Sequence, residues 1–191
     1  MQNIYCIGDH HFGHENIIEY VDRPFDDIEE MDNYMINSWN KVIDKDDIVY
    51  HHGDMFFCNR DRQFEIAKQL NGHIIIIKGN HDSETHKRYM DLGFEAVFNN
   101  PVILEKDIIL SHWPVKTNLF NVHGHIHNNI WEDEKHLNVS CEQINYKPLS
   151  LNEIKIRKYM HKFYKYDDET LRKLERDLMR ALEIPRKYWG F

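Results

Sequence analysis

Five polar clusters, Asp9-His10-His11, Gly53-Asp54, Gly79-Asn80-His81-Asp82, Ser111-His112 and Gly124-His125-Ile126-His127, each follow a short apolar run almost immediately. Those runs are Ile4 to Ile7, Ile48 to Tyr50, Ile74 to Ile77, Ile108 to Leu110 and Leu119 to Val122; two more stand at Val102 to Leu104 and Leu137 to Val139. Short apolar runs bounded by turn formers read as strands. Between the first three lie segments with helical spacing: Ile28, Met31, Met35, Ile36 and Trp39 ahead of Val42 and Ile43, then Phe64, Ala67 and Leu70. Strand, helix, strand, helix, strand predicts a mostly parallel α/β core, whose loops converge on one crevice beyond the carboxyl ends of the strands. The close spacing of the later strands predicts hairpins or antiparallel additions, hence one or two mixed sheets.

Taken singly, the clusters have bland explanations. Gly-Asp is a common turn dipeptide, and Asp-x-His or Asn-His can cap a loop. Turn chemistry does not easily produce all five in this order, each at a strand end. The chain also holds 14 histidines, the commonest protein metal ligand, and several sit in these clusters.

The set D-x-H, G-D, G-N-H-[DE], H and G-H-x-H resembles the motifs of the calcineurin-like metallophosphoesterases, and the match spans Asp9 to His127. The resemblance implies two mixed β-sheets sandwiched between helices. It implies that Asp9, His11, Asp54 and His127 hold one metal and that Asp54, Asn80, His112 and His125 hold the other, with Asp54 bridging. It further implies His81 as general acid and phosphate contact, its ring oriented by Asp82. Serine/threonine protein phosphatases of the family carry Arg-Gly after Gly-Asp and Glu after Asn-His; here the residues are Met55-Phe56 and Asp82, which points away from a protein substrate.

Charge balance agrees with that ligand set. Two divalent ions bring four positive charges, Asp9 and Asp54 remove two and a bridging hydroxide a third, leaving a surplus for an anionic phosphate. Asn80 and neutral imidazoles preserve it. Mixed imidazole and oxygen ligation favours Mn, Fe, Zn or a similar transition metal over Ca or Mg, with Mn the ion expected to serve in vitro. The expected activity is hydrolysis of a phosphomonoester or phosphodiester, such as a nucleotide.

The remaining histidines carry less. His10, His51, His52 and His123 adjoin ligands, but neighbours on a strand point to opposite faces, so they read as structural or supporting residues. His73, His86, His136 and His161 read as surface residues. Arg23, in Arg23-Pro24-Phe25, could grip a substrate phosphate bidentately, or instead pair with Asp26 or Asp27.

With 191 residues and 41% hydrophobic content, the chain can close one compact core, expected over residues 1–163. The formal net charge is −8, but it is uneven: residues 1–149 hold 13 Lys+Arg against 25 Asp+Glu, and 150–191 hold 11 against 7. The acidic body disfavours broad nucleic-acid binding, which needs many phosphate contacts, whereas the basic tail leaves a nuclease acting on nucleic-acid ends as an alternative. A non-catalytic scaffold of the same fold is the other. Ser150 and Glu153 have capping-box spacing. Residues 164–191 read as a helical extension, with Leu171, Leu174, Leu178 and Leu182 on one stripe that could dock on the domain or pair two copies. Three scattered cysteines suggest neither disulfides nor a thiolate site. With no signal-like start and no long apolar stretch, the expectation is a cytoplasmic protein that acts on a small phosphate ester.

Overall fold

The computed structural model describes residues 2–129, 131 and 133–160. The expected tail helix and His161 lie outside them. Two sheets form the frame. In the first, β1 (Ile4–Ile7), β2 (Ile48–His51), β3 (His73–Ile77) and β4 (Ala96–Phe98) run parallel. A short strand, β9 (Leu149–Ser150), pairs antiparallel on the outer side of β1. The second sheet holds β5 (Val102–Glu105), β6 (Ile108–Leu110), β7 (Phe120–His123) and β8 (His136–Asn138) in that order.

This α/β architecture of two mixed sheets with helices agrees with the sequence, with one correction. Among the described residues only β5 and β6 form a hairpin; β6, β7 and β8 run parallel despite their close spacing. The described residues of the returns between them hold no helix, and those returns carry His112, His125 and His127. Parallel direction places all three beyond carboxyl ends, on the same side as Asp9, His11, Asp54 and Asn80 of the first sheet.

The helices follow local signals. Helix α1 is a single turn, Ile17–Tyr20. Helix α2 (Ile28–Asn40) starts at Asp27, whose carboxylate accepts the Glu30 N–H at 2.8 Å, while Glu30 reaches back to the Asp26 N–H at 2.8 Å. Its apolar stripe buries Met31, Met35, Ile36 and Trp39, the methionines contributing about 1.5–3 kcal/mol each. Trp39 is fully buried and satisfies its indole N–H on the Asn71 carbonyl at 2.9 Å. Asn59 caps α3 (Arg60–Ala67) and Thr85 caps α4 (His86–Asp91). The Ser150–Glu153 capping box closes in both directions and starts α5 (Leu151–Met160), which buries Ile154 and Ile156. Among the described residues no helix is long and apolar enough to cross a membrane.

The two sheets meet at their carboxyl ends. Gly8 N–H donates to the Val139 carbonyl at 2.9 Å and Cys141 N–H to the Gly8 carbonyl at 3.1 Å. Between His52 and the Ser111-His112 loop, His52 Nδ1 bonds the Ser111 carbonyl and His112 Nδ1 bonds the His52 carbonyl. The seam runs through the polar clusters themselves.

Candidate metal centre

Asp9 and His11 follow β1, Asp54 follows β2, Asn80 follows β3, His112 follows β6, and His125 and His127 follow β7. Five of these seven adopt the left-handed region: Asp9 (φ 57°), His11 (51°), Asp54 (53°), His125 (70°) and His127 (48°). Non-glycine residues rarely sit there, and such strain persists where the surroundings over-determine it. Two glycines make the room. A Cβ on Gly79 would lie 2.2 Å from Asp54 Oδ1, and one on Gly124 2.2 Å from Asp9 Oδ2.

The side chains gather into two groups, Asp9, His11 and His127, and Asp54, His112 and His125, with the ligand atoms of each within 4.8 Å of one another. In the second group His112 donates Nδ1–H to the His52 carbonyl at 2.6 Å, so its Nε2 presents a lone pair. That Nε2 faces Asn80 Oδ1 at 3.0 Å, His125 Nδ1 at 3.1 Å and Asp54 Oδ2 at 3.4 Å. His112 Nε2, Asn80 Oδ1 and Asp54 Oδ2 are all acceptors, and acceptors converging on one point repel unless a cation lies among them. In the first group, Asp9 Oδ1 and His11 Nε2 are buried without a hydrogen-bond partner, although buried polar atoms are normally satisfied. His11 Nε2 is 3.7 Å from Asp54 Oδ2, so the Asp54 carboxylate faces both groups. The donor set fits two divalent ions.

Burial and neighbouring charge act on the same groups. Burial, with the Asp54 charge nearby, raises Asp9 to about 7 against the pull of His127. Burial raises Asp54 to about 6, opposed by the His81 N–H and reinforced by Asp82. Burial holds His112 neutral, down to about 4. A pair of cations would restore both carboxylates to their ionised form and use the imidazoles as they stand.

Behind the first group lies a residue the sequence motifs do not reveal. Glu142, on the 3-10 turn Cys141–Ile144, lies 3.3 Å from His127 Nδ1 and, accepting its proton, leaves the lone pair on Nε2. Burial alone would lower His127, but the Glu142 bond and the Asp9 charge outweigh it and hold His127 above its ordinary value. Nothing in the sequence flags Glu142, because no motif links it to the clusters.

Arg23 requires a correction. It is almost wholly buried, and its guanidinium faces inward. Nε and Nη2 reach Glu142 at 2.8 and 2.6 Å, Nη2 also bonds the Asp9 carbonyl and Nη1 the His10 carbonyl, each at 2.7 Å. The remaining Nη1 donor faces Met31 Sδ at 3.3 Å. With its donors spent on the protein, Arg23 has none for a phosphate, nor does it pair with Asp26 or Asp27. It clamps the Asp9 and His10 carbonyls to Glu142.

Asp82 requires another. Its carboxylate accepts from the N–H groups of Asp54 (2.6 Å), Gly79 (2.7 Å) and Met55 (3.2 Å) and from the Tyr89 hydroxyl (2.8 Å). None of these is the His81 ring, so Asp82 ties the loops after β2 and β3 together rather than orienting His81. His81 itself is exposed at the mouth, with its main-chain N–H on Asp54 Oδ1 at 2.9 Å and its ring 5.6 Å from that of His11.

The supporting histidines are interior: His10 Nδ1 meets His51 Nε2 at 2.8 Å, and His52, His123 and both of those are fully buried. His73 and His86 are exposed as expected. His136 is not: it is 6% exposed, held between Asp133 at 2.6 Å and the Val115 carbonyl at 3.1 Å.

A family model described as calcineurin-like phosphoesterase matches residues 2–178. An uncharacterized protein of Methanocaldococcus jannaschii is 38% identical over 166 residues, which cover 80% of this chain and 89% of that protein. The gene 66 protein of Mycobacterium phage L5 is 32% identical over 85 residues, 43% of this chain and 41% of its own. Among solved structures, a protein of unknown function from Aquifex aeolicus superposes with a TM-score of 0.66 at 27% identity, covering 81% of this chain and 98% of that one.

Proposed function

The chain belongs to the calcineurin-like phosphoesterase family, and from that premise we propose that it hydrolyses a nucleotide or another small phosphate ester with two divalent transition-metal ions, Mn serving in vitro. The observation that supports this reading most is the position of Asp54, whose Oδ2 lies 3.4 Å from His112 Nε2 and 3.7 Å from His11 Nε2. One carboxylate so placed can serve two ions. Asp9, His11, Asp54 and His127 would hold one, and Asp54, Asn80, His112 and His125 the other. Bound there, the pair would supply Lewis-acid polarisation of the phosphoryl group and of an attacking water.

The chain's own groups do the rest. Two carboxylates against four positive charges leave a surplus that receives an anionic ester. His81, exposed beside the first group, hands a proton to the departing oxygen. Its main-chain bond to Asp54 keeps the acid in register with the ligand. The free Cys6, Cys58 and Cys141 suit a reducing cytoplasm.

Elemental analysis after Mn supplementation tests this. We expect about two ions per wild-type chain and at most one in Asp54→Ala. Hydrolysis of an aryl phosphodiester by that variant should fall by more than the roughly 10–100-fold that outer-shell changes cost. A wild type holding no more than one ion rejects the two-ion reading. A folded, fully loaded but inert wild type makes the protein a binding scaffold.

A further inference from the structure

Two exposed aromatic rings stand at the mouth, one against each ligand group. Phe57 is 41% exposed, with its ring centre 5.0 Å from that of His81 and 5.7 Å from that of His11. Trp113 is 43% exposed, 4.8 Å from His112 and 5.9 Å from His125. Exposed apolar side chains scattered over a surface need no explanation, and Ile103 and Tyr20 are more exposed than either. Position and support distinguish these two. The back of Phe57 is covered by His14, stacked at 4.0 Å and 22°, and Tyr20 closes edge-on against His14 at 6.0 Å. Its main-chain N–H is fixed on the Phe12 carbonyl at 2.8 Å. Trp113 is held through its carbonyl, which accepts from Ser111 Oγ at 2.6 Å.

A cavity of about 280 Å³, lined in part by Phe57, His81, Ser83 and Glu84, opens beside the first ring. That is near the lower end of small-ligand pockets, a size suited to one flat heterocycle. Residues 1–149 carry 13 Lys+Arg against 25 Asp+Glu, a balance that disfavours a long polyanion. Arg23 is internal and Arg60 is engaged by Glu84 at 3.1 Å, so these side chains offer no basic track for a long polyanion.

We propose that Phe57 and Trp113 are stacking platforms that select a short phosphodiester carrying a nucleobase on each side of the scissile phosphate, a dinucleotide or a very short single strand. This rests on the phosphoesterase reading above and adds the substrate class. Every base offers a π-face, so stacking favours bases in general rather than one sequence. The reaction is simple hydrolysis. A P–O bond to the water oxygen forms and the bond to one nucleoside oxygen breaks; that oxygen takes a proton from His81, and the water's proton returns to solvent.

The test compares kcat/KM of Mn-loaded wild type, Phe57→Ala and Trp113→Ala on three diesters: a dinucleoside monophosphate, a nucleoside methyl phosphate and an abasic sugar methyl phosphate. Wild type should prefer them in that order. Each Ala variant should lose about 5- to 150-fold more on the two-base ester than on the abasic one, and Phe57→Tyr and Trp113→Tyr should recover most of it. Dinucleotide should quench tryptophan fluorescence in wild type and much less in Trp113→Tyr. Melting temperature and metal content measured alongside separate a lost platform from a damaged centre. Equal losses on all three esters, or a wild type indifferent to the bases, overturn the stacking role while leaving the phosphoesterase reading intact. A loaded wild type inert on every ester overturns that reading instead, and absence of quenching then removes the platforms as well.

Discussion

His127 Nδ1 lies 3.3 Å from Glu142 Oε1, and that contact decides which ring nitrogen carries the proton. The partners are 15 residues apart, and only the turn after β8 brings them together. Outer-shell carboxylates on metal-binding histidines fix the tautomer and raise ligand basicity. Glu142→Gln keeps the shape but loses the charge. It should weaken metal affinity by about 10–100-fold, read by competition with a chelator, with the fold retained in circular dichroism. Unchanged affinity would show that the ring is oriented without Glu142.

Arg23 predicts a stability defect. Arg23→Met leaves Glu142 buried without its guanidinium partner and releases the Asp9 and His10 carbonyls, which should cost about 3–5 kcal/mol in urea unfolding. Arg23→Lys should recover only part of it, since an ammonium cannot reproduce the planar fork. A variant of normal stability whose only change is a raised KM would reinstate Arg23 as a phosphate contact.

If His81 protonates the leaving oxygen, its importance should scale with the basicity of that oxygen. A nitrophenolate leaves without help; an alkoxide does not. His81→Asn should therefore cost little on an aryl diester and about 100- to 10,000-fold on an alkyl diester, compared as kcat/KM with metal content unchanged. Equal losses on both would falsify the general-acid role. Asp82→Asn should act differently, lowering melting temperature through the Asp54, Gly79 and Tyr89 bonds it disturbs.

Acid should destabilise the metal-free protein through its buried neutral histidines. Burial lowers His10 and His52 to about 3 and His123 to about 4, against an ordinary value of 6.5. Below 6.5 the unfolded chain takes up protons that the folded chain refuses, so these groups' contribution is present above that pH and declines as pH falls toward 4. Asp9 and Asp54, raised in the folded state, act in the opposite sense, and the difference between two proteins isolates one histidine. Replacing His123 with Phe should make the fall between pH 6 and 4.5 shallower by up to about 1.4 kcal/mol per pH unit. Parallel curves would mean that His123 is not kept neutral.

Sequence alone determined the strands from β1 to β3 and from β5 to β8, the α2 stripe, the cap of α5 and the residues that gather at the centre. These depend on local rules: apolar runs make strands, capping boxes start helices, and a polar cluster just after a strand must emerge at its end. The short β4 and β9 and the single-turn α1 carry too few residues for any periodicity, and they exist because neighbouring backbone accepts their hydrogen bonds. The parallel direction of β7 and β8, the inward turn of Arg23, the loop-tying role of Asp82 and the placement of Glu142 were decided by the tertiary structure. Arg23 and Glu142 stand 119 residues apart. Whether a guanidinium binds a phosphate or a buried carboxylate depends on which one the folded chain brings within 3 Å, and no spacing along the chain encodes that distance.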